Sequence, residues 1–295
     1  MDSGAERALR LMICEHLSEV LEEQGALTRT ELTNFSVKGE VYKLIDRNKG
    51  IWNPKQLLAT LSIMSTPNSG YPDEEVGESL FAYAYREGNI NGDNTKLRRA
   101  YQLDLPIILL RWIRDGVYIP VCPVYVVADD MPNRRFILAL DESLRTVANP
   151  LDLKPIERVY AQRVTRQRLH QPEFRARVLL AYESRCAVCG VGHTQLLEAA
   201  HIIADGKEHG AADISNGLCL CKIHHAAYDA NLLGITPGYE VRIGAKLMQD
   251  LRGGSMLKHG LQAMNGNPLA LPRSKKNHPS TERLAERFTE FQAAS

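Results

Sequence analysis

The sequence has few cysteines, no long hydrophobic run and almost no net charge, and each shortage excludes a class of protein. Six Cys among 295 residues are too few for a disulfide-stapled secreted scaffold. No stretch of about 18 consecutive apolar residues occurs, which excludes a membrane-spanning helix. Residues 1–10 carry charged side chains and no apolar signal core, so we expect a cytoplasmic protein.

The composition that remains is that of a folded protein with an uneven distribution of charge. Hydrophobic residues make up 44% and charged residues 24%, and the length is sufficient for two domains. The net charge of +1 hides 19 Lys and Arg against 23 Asp and Glu in residues 1–160, and 17 against 12 in residues 161–295. The basic second half makes an acidic partner such as a nucleic acid compatible with the sequence, although this signal is weak alone.

Hydrophobic spacing predicts an α+β first half. Apolar residues recur every fourth position from Leu9 to Leu21, which predicts a helix that Gly25 ends. β-branched and apolar runs predict two paired strands over 118–128 and 135–140. Another apolar run over 105–112 is compatible with a buried strand. Together these segments predict a mixed α/β domain with a curved sheet.

Two prolines mark a domain boundary. Pro150 and Pro155 precede a stretch in which Arg recurs at helical spacing. We therefore expect a first domain over residues 1–155, a helical connector over 156–172 and a second domain over 173–295.

Four of the six cysteines lie close together in the sequence, in a pattern typical of a metal site. Cys186 and Cys189 form a Cys-x2-Cys knuckle, and Cys221 and His224 repeat the same spacing. Two such knuckles supply the four ligands of a closed, structural Zn²⁺ site, which can stabilise a small region with little core of its own. Cys219 lies two residues before Cys221, on the same face of a strand, and can compete as a ligand.

Three further segments surround these knuckles in a fixed order. The segments are Ala-Ala-His201-Ile, Asn216-Gly-Leu and Cys221-x-x-His224-His225-x-x-Tyr-Asp229. Over about residues 174–235 they resemble the HNH nuclease motif. The resemblance implies a zinc-stapled ββα-metal fold for the C-terminal domain and an endonuclease activity on DNA.

The resemblance also implies roles for the polar residues outside the zinc knuckles. Phosphodiester hydrolysis needs a base to activate water, and a neutral imidazole suits this task near pH 7. The resemblance gives this role to His201, and gives Asn216 the role of orienting the loop and the base. His225 and Asp229 are four residues apart on a predicted helix, so they project from one face and can hold a catalytic Mg²⁺ or Mn²⁺.

The sequence departs from the motif at one position. Many members have a metal-binding Asp or His directly before the base, where this chain has Ala200. Glu198 lies on the same face of the predicted strand and can replace that ligand, directly or through water. Alternatively, fewer protein ligands hold the ion, and Glu198 is a surface carboxylate that adjusts His201 or has no role.

Segments of residues 26–150 suggest what the first domain does. They are Ser69-Gly-Tyr-Pro-Asp, Phe81-Ala-Tyr-Ala-Tyr85-Arg86-Glu-Gly, Asp93-Asn94-x-x-Leu97-Arg98 and Pro123-Val-Tyr-Val-Val-Ala-Asp129-Asp130. These segments resemble the sulfur-binding domain of restriction enzymes that attack phosphorothioated DNA. Sulfur is larger and less hydrated than oxygen, so a small apolar pocket beside a cation favours it. The resembling segments offer suitable residue types for DNA and sulfur binding at Tyr85, Arg86, Tyr118, Pro120 and Pro123.

The leading hypothesis is a modification-dependent (type IV restriction) endonuclease that recognises phosphorothioated double-stranded DNA. An alternative keeps the HNH nuclease but directs it to methylated or hydroxymethylated cytosine, which such readers commonly flip into an aromatic cage. A third hypothesis is a zinc-stapled DNA-binding regulator without catalysis. Cleavage of two strands by one metal site per chain is easiest with two chains, which favours a homodimer.

Overall fold

The molecule is described by a computed structural model. It describes residues 2–47, 49–65, 74–76, 80–85 and 92–294. Arg86 and the segment Ser69-Gly-Tyr-Pro-Asp, both singled out in the sequence, lie outside the described residues. The chain divides into two compact units, Met1–Glu173 and Phe174–Ser295. No helix in the described part of the chain is long and apolar enough to cross a membrane.

In its described residues, the first unit combines four α-helices with a large sheet. Its helices are α1 (Ser3–Gln24), α2 (Arg29–Thr33), α3 (Asn94–Gln102) and α4 (Pro155–Thr165). Its strands are β1 (Leu27–Thr28), β2 (Phe35–Val37), β3 (Glu40–Tyr42), β4 (Ile51–Trp52), β5 (Ser62–Ser65), β6 (Glu74–Val76), β7 (Leu80–Ala84), β8 (Ile107–Arg114), β9 (Val117–Asp130) and β10 (Arg135–Ala139). The predicted N-terminal helix is confirmed, and Gly25 ends it in the left-handed conformation with φ of 79°.

An eight-stranded sheet organises this unit around its longest strand. Its order is β4-β5-β8-β9-β10-β7-β6, with β1 paired to the start of β9. The β5–β8 pair is parallel and the other pairs are antiparallel. The first part of β9 pairs with β8 and its second part with β10, which confirms the predicted strands.

Alternating side chains build a core on each face of the sheet. On β8, Ile107 and Leu109 join one cluster, whereas Ile108 and Leu110 join the other. Successive strand residues point to opposite faces, so one strand supplies both cores. Helix α1 covers the second cluster with Ile13 and other apolar side chains.

Helix α1 also carries a fully buried ion pair. The Arg10 guanidinium lies 2.7 Å from Glu6, and both side chains are at most 1% exposed. Arg10 donates further hydrogen bonds to the carbonyl oxygens of Ala59, Thr60 and Pro106. Every charge is thereby paired, which is the condition under which a buried ion pair is tolerated.

The remaining two cysteines of the chain lie in this unit. Cys14 on α1 and Cys122 on β9 form a disulfide, with their Cα atoms 5.3 Å apart. The cross-link joins the helix to the central strand of the sheet. The spacing of these two residues along the sequence gave no sign of this contact.

Helix α4 belongs to the first core, although the sequence analysis treated residues 156–172 as a connector. Ala161 and Val164 of α4, and Leu169 in the turn that follows it, are buried in the cluster that contains Ile107 and Leu109. A single π turn at Arg166–His170 continues α4 into α5 (Gln171–Ala181), on which the division between the two units falls.

The second unit is small and mixed. Its remaining elements are strands β11 (Leu197–His201), β12 (Gly217–Cys221), β13 (Leu233–Ile235) and β14 (Val241–Ile243), and helices α6 (Lys222–Asp229), α7 (Ala245–Gln249), α8 (Gly254–Gly260) and α9 (Thr281–Ala294). Strands β11 and β12 pair antiparallel from Leu197↔Cys221 to His201↔Gly217, and α6 follows β12 directly. This β11-β12-α6 arrangement positions the polar residues described next.

Candidate functional site

The two predicted zinc knuckles meet. The potential ligand atoms of Cys186, Cys189, Cys221 and His224 all lie within 4.8 Å of one another. Three thiols and one imidazole are the donor set of a closed tetrahedral Zn²⁺ site, so these residues can hold zinc. Within the described part of the chain, this is the one group of three or more metal-binding side chains at such distances.

A neighbouring carbonyl sets the orientation of the His224 ring. Its Nε2 lies 2.8 Å from the carbonyl oxygen of Gly260, which can only accept a hydrogen bond. Nε2 therefore carries the proton, and the lone pair of the neutral ring lies on Nδ1, 3.2 Å from the Cys221 sulfur. Metal-binding histidines typically donate such a hydrogen bond from the ring nitrogen that does not bind the metal.

Two thiols of this group, Cys186 and Cys221, affect each other's pKa through a hydrogen bond. A hydrogen bond from Cys221 lowers the pKa of Cys186 to about 3. The same interaction with Cys186 raises the pKa of Cys221. One sulfur is thus held as a thiolate by a proton on its neighbour, and a bound metal ion can take the place of that proton.

Cys219, which the sequence left open as a competing ligand, lies outside this group. Its side chain is fully buried in the core of the second unit, and burial raises its pKa to about 12. A neutral thiol in such surroundings behaves as a small apolar side chain.

His201 ends β11, and its ring is held by packing. The ring stacks on Phe174 of α5 with centroids 3.9 Å apart and planes inclined by 14°. Its strand partner is Gly217, where an added Cβ would lie 2.4 Å from a methyl of Val178 and 3.1 Å from the Phe174 ring. Glycine is therefore required at this position for α5 to approach the strand and support His201.

Asn216 lies fully buried directly before β12 and fixes the loop that follows His201. Its side-chain amide donates to the carbonyl oxygens of Ile203 and Ala211, and its side-chain oxygen accepts from the Ile203 backbone N–H at 2.9 Å. Its own carbonyl oxygen accepts from Ile202. These contacts hold the backbone on both sides of the loop in place.

His225 stands between two carboxylates. Its Nδ1 lies 2.6 Å from Oε2 of Glu198, and its Nε2 lies 3.3 Å from Oδ2 of Asp229. The predicted spacing of His225 and Asp229 thus places them side by side on α6. The carboxylate of Glu198 contacts His225. The sequence analysis had considered Glu198 as a replacement for the metal ligand missing at Ala200, or as a carboxylate that adjusts His201.

A cleft of about 400 Å³ brings most of the predicted catalytic residues together. It is lined by His201, Ile202, Ile203, Ala204, Asp205, Lys207, His225, Asp229, Asn231, Arg287 and Glu290. The imidazoles of the strand and the helix thus open onto one space with Asp229. Asn216 and Glu198 support the lining residues from behind.

The sequence analysis missed five polar residues of the cleft, Asp205, Lys207, Asn231, Arg287 and Glu290. Lys207 lies in the loop between β11 and β12, and Arg287 and Glu290 lie on α9, more than fifty residues after the motif. Spacing identifies residues only within a local pattern, and Arg287 and Glu290 line the cleft only because α9 docks beside it. The recurrence of charge at 283, 287 and 290 was the available signal, since it places three charges on one helix face.

Of the residues predicted to recognise modified DNA, the four that the structure describes do not all lie together. Tyr85 and Tyr118 belong to the clusters on opposite faces of the sheet, and their hydroxyls bond to Asp129 and Arg29. Pro120 is buried on β9. Pro123 lines an open groove of about 660 Å³, whose other lining residues are Ala8, Leu11, Met12, Cys14, Glu15, Ser18, Lys38 and Cys122.

Comparison with known proteins identifies the domain that holds the cleft. Residues 186–236 match a family model described as HNH endonuclease. No curated protein matches the chain. A solved structure titled "Modification dependent TagI restriction endonuclease" aligns with 90% of this chain and 92% of its own at 18% identity, with a TM-score of 0.30, too low to indicate a shared fold. Residues 186–236 therefore form an HNH endonuclease domain, and the protein is a hydrolase that cleaves DNA.

Proposed function

We propose that the protein is a modification-dependent restriction endonuclease, in which the cleft of the second unit cuts double-stranded DNA. The observation that carries the catalytic part is the meeting of His201, His225 and Asp229 in one cleft beside a four-ligand zinc group. A pure DNA-binding regulator has no need of these three side chains together. In this proposal, residues 1–155 recognise the modified DNA and residues 173–295 cleave it.

His201 is the proposed general base. It lines the cleft and is held by the ring of Phe174, so its imidazole can accept a proton from a water placed in the cleft. Asn216 acts as a positioning residue, because it fixes the loop that leads away from His201.

His225 and Asp229 are the proposed holders of a catalytic Mg²⁺ or Mn²⁺. Their facing atoms are 3.3 Å apart, close enough for one ion to contact both. When bound, such an ion stabilises the charge that builds up on the phosphoryl and leaving oxygens. An imidazole ligand suits Mn²⁺ better than Mg²⁺, so both ions belong in any assay.

Glu198 is the proposed orienting partner of His225. Because the Glu198 carboxylate accepts a hydrogen bond from Nδ1–H of His225, the lone pair of the neutral imidazole lies on Nε2, which faces Asp229. This role replaces the direct metal contact considered from the sequence. It needs no ligand at the position of Ala200.

A phosphorothioate is the proposed mark, with methylated or hydroxymethylated cytosine as the alternative. The support is the sequence resemblance over residues 26–150, and the described structure does not gather Tyr85, Tyr118, Pro120 and Pro123 into one pocket. The groove beside Pro123 offers the apolar and sulfur-containing side chains of Met12 and Cys122 near Lys38, a surface that suits a poorly hydrated anionic sulfur.

A cleavage assay on one duplex in three forms tests this function. The forms are plain, base-methylated and phosphorothioated in the R configuration, each with Mg²⁺ or Mn²⁺ at a fixed salt concentration, because phosphate contacts depend steeply on salt. We expect cutting of the phosphorothioated duplex alone. Cutting of the methylated form alone would keep the nuclease and transfer recognition to the alternative mark, whereas equal cutting of all three would refute modification dependence.

A homodimer is the proposed assembly for cutting both strands. Helix α4 exposes 79% of Ile156 and 67% of Val159, with Tyr160 beside them on the same face. A second copy of the chain that buries this face would explain three adjacent exposed apolar residues. We expect a dimer mass in sedimentation equilibrium and a monomer mass for Val159→Glu; a monomeric wild type at assay concentration would refute the assembly.

A further inference from the structure

Besides the apolar contacts of Leu284, helix α9 contacts the HNH domain through a set of charged side chains. Arg283 forms a two-point ion pair with Asp213, with N–O distances of 2.9 and 3.1 Å. One turn later Arg287 reaches the end of α6, and Glu290 contacts Lys207 at 2.7 Å. All three α9 residues therefore face either the loop between the motif strands or the motif helix.

Arg287 is the α9 side chain that reaches into the cleft. Its guanidinium donates to the carbonyl oxygen of Tyr228 at 2.6 Å and to the side-chain oxygen of Asn231, and lies 4.8 Å from the centre of the Tyr228 ring. Its side chain is only 11% exposed. These contacts hold a planar cation rigidly in the same cleft as His201 and His225.

The guanidinium keeps hydrogen-bonding capacity for a ligand. Its bonds to Tyr228, Asn231 and Glu290 within the described chain use three of five N–H groups. Arg is the side chain best suited to bind two phosphate oxygens at once, and a fixed guanidinium loses little entropy when it does so.

The charges around Arg287 show why a phosphate that enters the cleft needs a cation there. The cleft lining carries three carboxylates, Asp205, Asp229 and Glu290, against the two cations Lys207 and Arg287. A DNA phosphate entering this space meets repulsion unless cations face it. Glu290 contacts both cations, at 2.7 Å from Lys207 and 3.2 Å from Arg287, and so holds the two side by side on one edge of the cleft.

We propose that Arg287 binds the phosphoryl oxygens of the DNA strand in the cleft, with Lys207 beside it contacting a neighbouring phosphate. This inference rests on the proposed nuclease site and adds to it a residue from outside the HNH motif. Arg287 stabilises charge that grows on the phosphoryl group during hydrolysis, so its loss acts on the chemical step as well as on binding. Lys207, 53% exposed, contributes mainly to binding.

The test compares Arg287→Ala and Arg287→Lys with two matched controls. Arg242→Ala removes an equal charge from an exposed position of strand β14, away from the cleft lining, and Arg283→Ala removes an ion pair that docks α9. For each variant we would measure kcat and KM for duplex cleavage, the melting temperature, and the salt dependence of duplex affinity without added divalent ion.

We expect Arg287→Ala to lower kcat by about 10²- to 10³-fold, comparable to the loss of one hydrogen-bond donor in an oxyanion hole. It should reduce the slope of log affinity against log salt by about 0.9, the value for one phosphate contact. Arg287→Lys should keep the slope and recover part of kcat. Arg242→Ala should leave kcat unchanged, and Arg283→Ala should lower mainly the melting temperature.

Two results would overturn the inference. One is an unchanged salt slope with an unchanged kcat for Arg287→Ala. The other is an equal loss of activity in Arg283→Ala and Arg287→Ala that follows their melting temperatures, since Arg287 would then only dock α9. A wild type that cleaves no duplex would refute the nuclease function instead, and the salt slope would still decide whether Arg287 contacts phosphate.

Discussion

Replacement of His201 by alanine should lower the rate of duplex cleavage by about 10²- to 10⁴-fold, the usual contribution of a general base. The reason is its place in the cleft, where its ring packs on Phe174 and faces the same space as His225. Cleavage rates at saturating substrate, compared with the wild type at equal zinc content, measure the effect.

A second histidine of the same unit provides the control. His193 is exposed and lies outside the cleft, so His193→Ala should cleave at the wild-type rate. DNA binding by His201→Ala should remain, because its loss removes a base and not a cation. An active His201→Ala, or an equal loss in both variants, would contradict the assignment of His201 as the base.

Removal of one zinc ligand should have the largest effect on stability. Cys221→Ala takes one sulfur from the four-ligand group, so we expect loss of the bound zinc and of the cooperative unfolding transition of the second unit. Structural zinc contributes about 10–16 kcal/mol in zinc-finger peptides, far more than a single buried side chain. Zinc content by mass spectrometry and thermal unfolding measure both expectations.

The same strand supplies a matched control in Cys219, two residues away. Its sulfur lies in the core and outside the ligand group, so Cys219→Ala should retain one zinc per chain and lose only about 1 kcal/mol for the small cavity. Loss of zinc in Cys219→Ala but not in Cys221→Ala would reverse the ligand assignment. Equal zinc in all three proteins would show that the metal lies elsewhere.

The sequence was most informative where function depends on local spacing. Cys186 and Cys189 are three residues apart, a spacing with which a loop can present two sulfurs to one ion, and Cys221 and His224 repeat it; the possible ligand atoms of all four lie within 4.8 Å of one another. His225 and Asp229 share a helix face for an equally local reason. Such constraints act within a few residues and can be read without the fold.

The sequence was least informative where tertiary packing decides. Tyr85 and Tyr118 have the residue types of an aromatic pocket, but the alternation of a sheet sends them into different cores. Composition does not reveal which face of a strand a side chain occupies once both faces are buried. Arg287 was missed for the converse reason, since its place in the cleft depends on how a distant helix docks.

The position of Arg287 after the HNH motif in the sequence has a consequence for biosynthesis. Translation proceeds from the N-terminus, so the motif strands and the zinc ligands emerge from the ribosome before residues 281–294 are made. With Arg287 as a phosphate-binding residue, the cleft lacks one of its two cations until α9 has been synthesised and docked. A chain in which the motif has folded and α9 has not yet docked is then expected to cleave DNA more slowly than one in which both are in place.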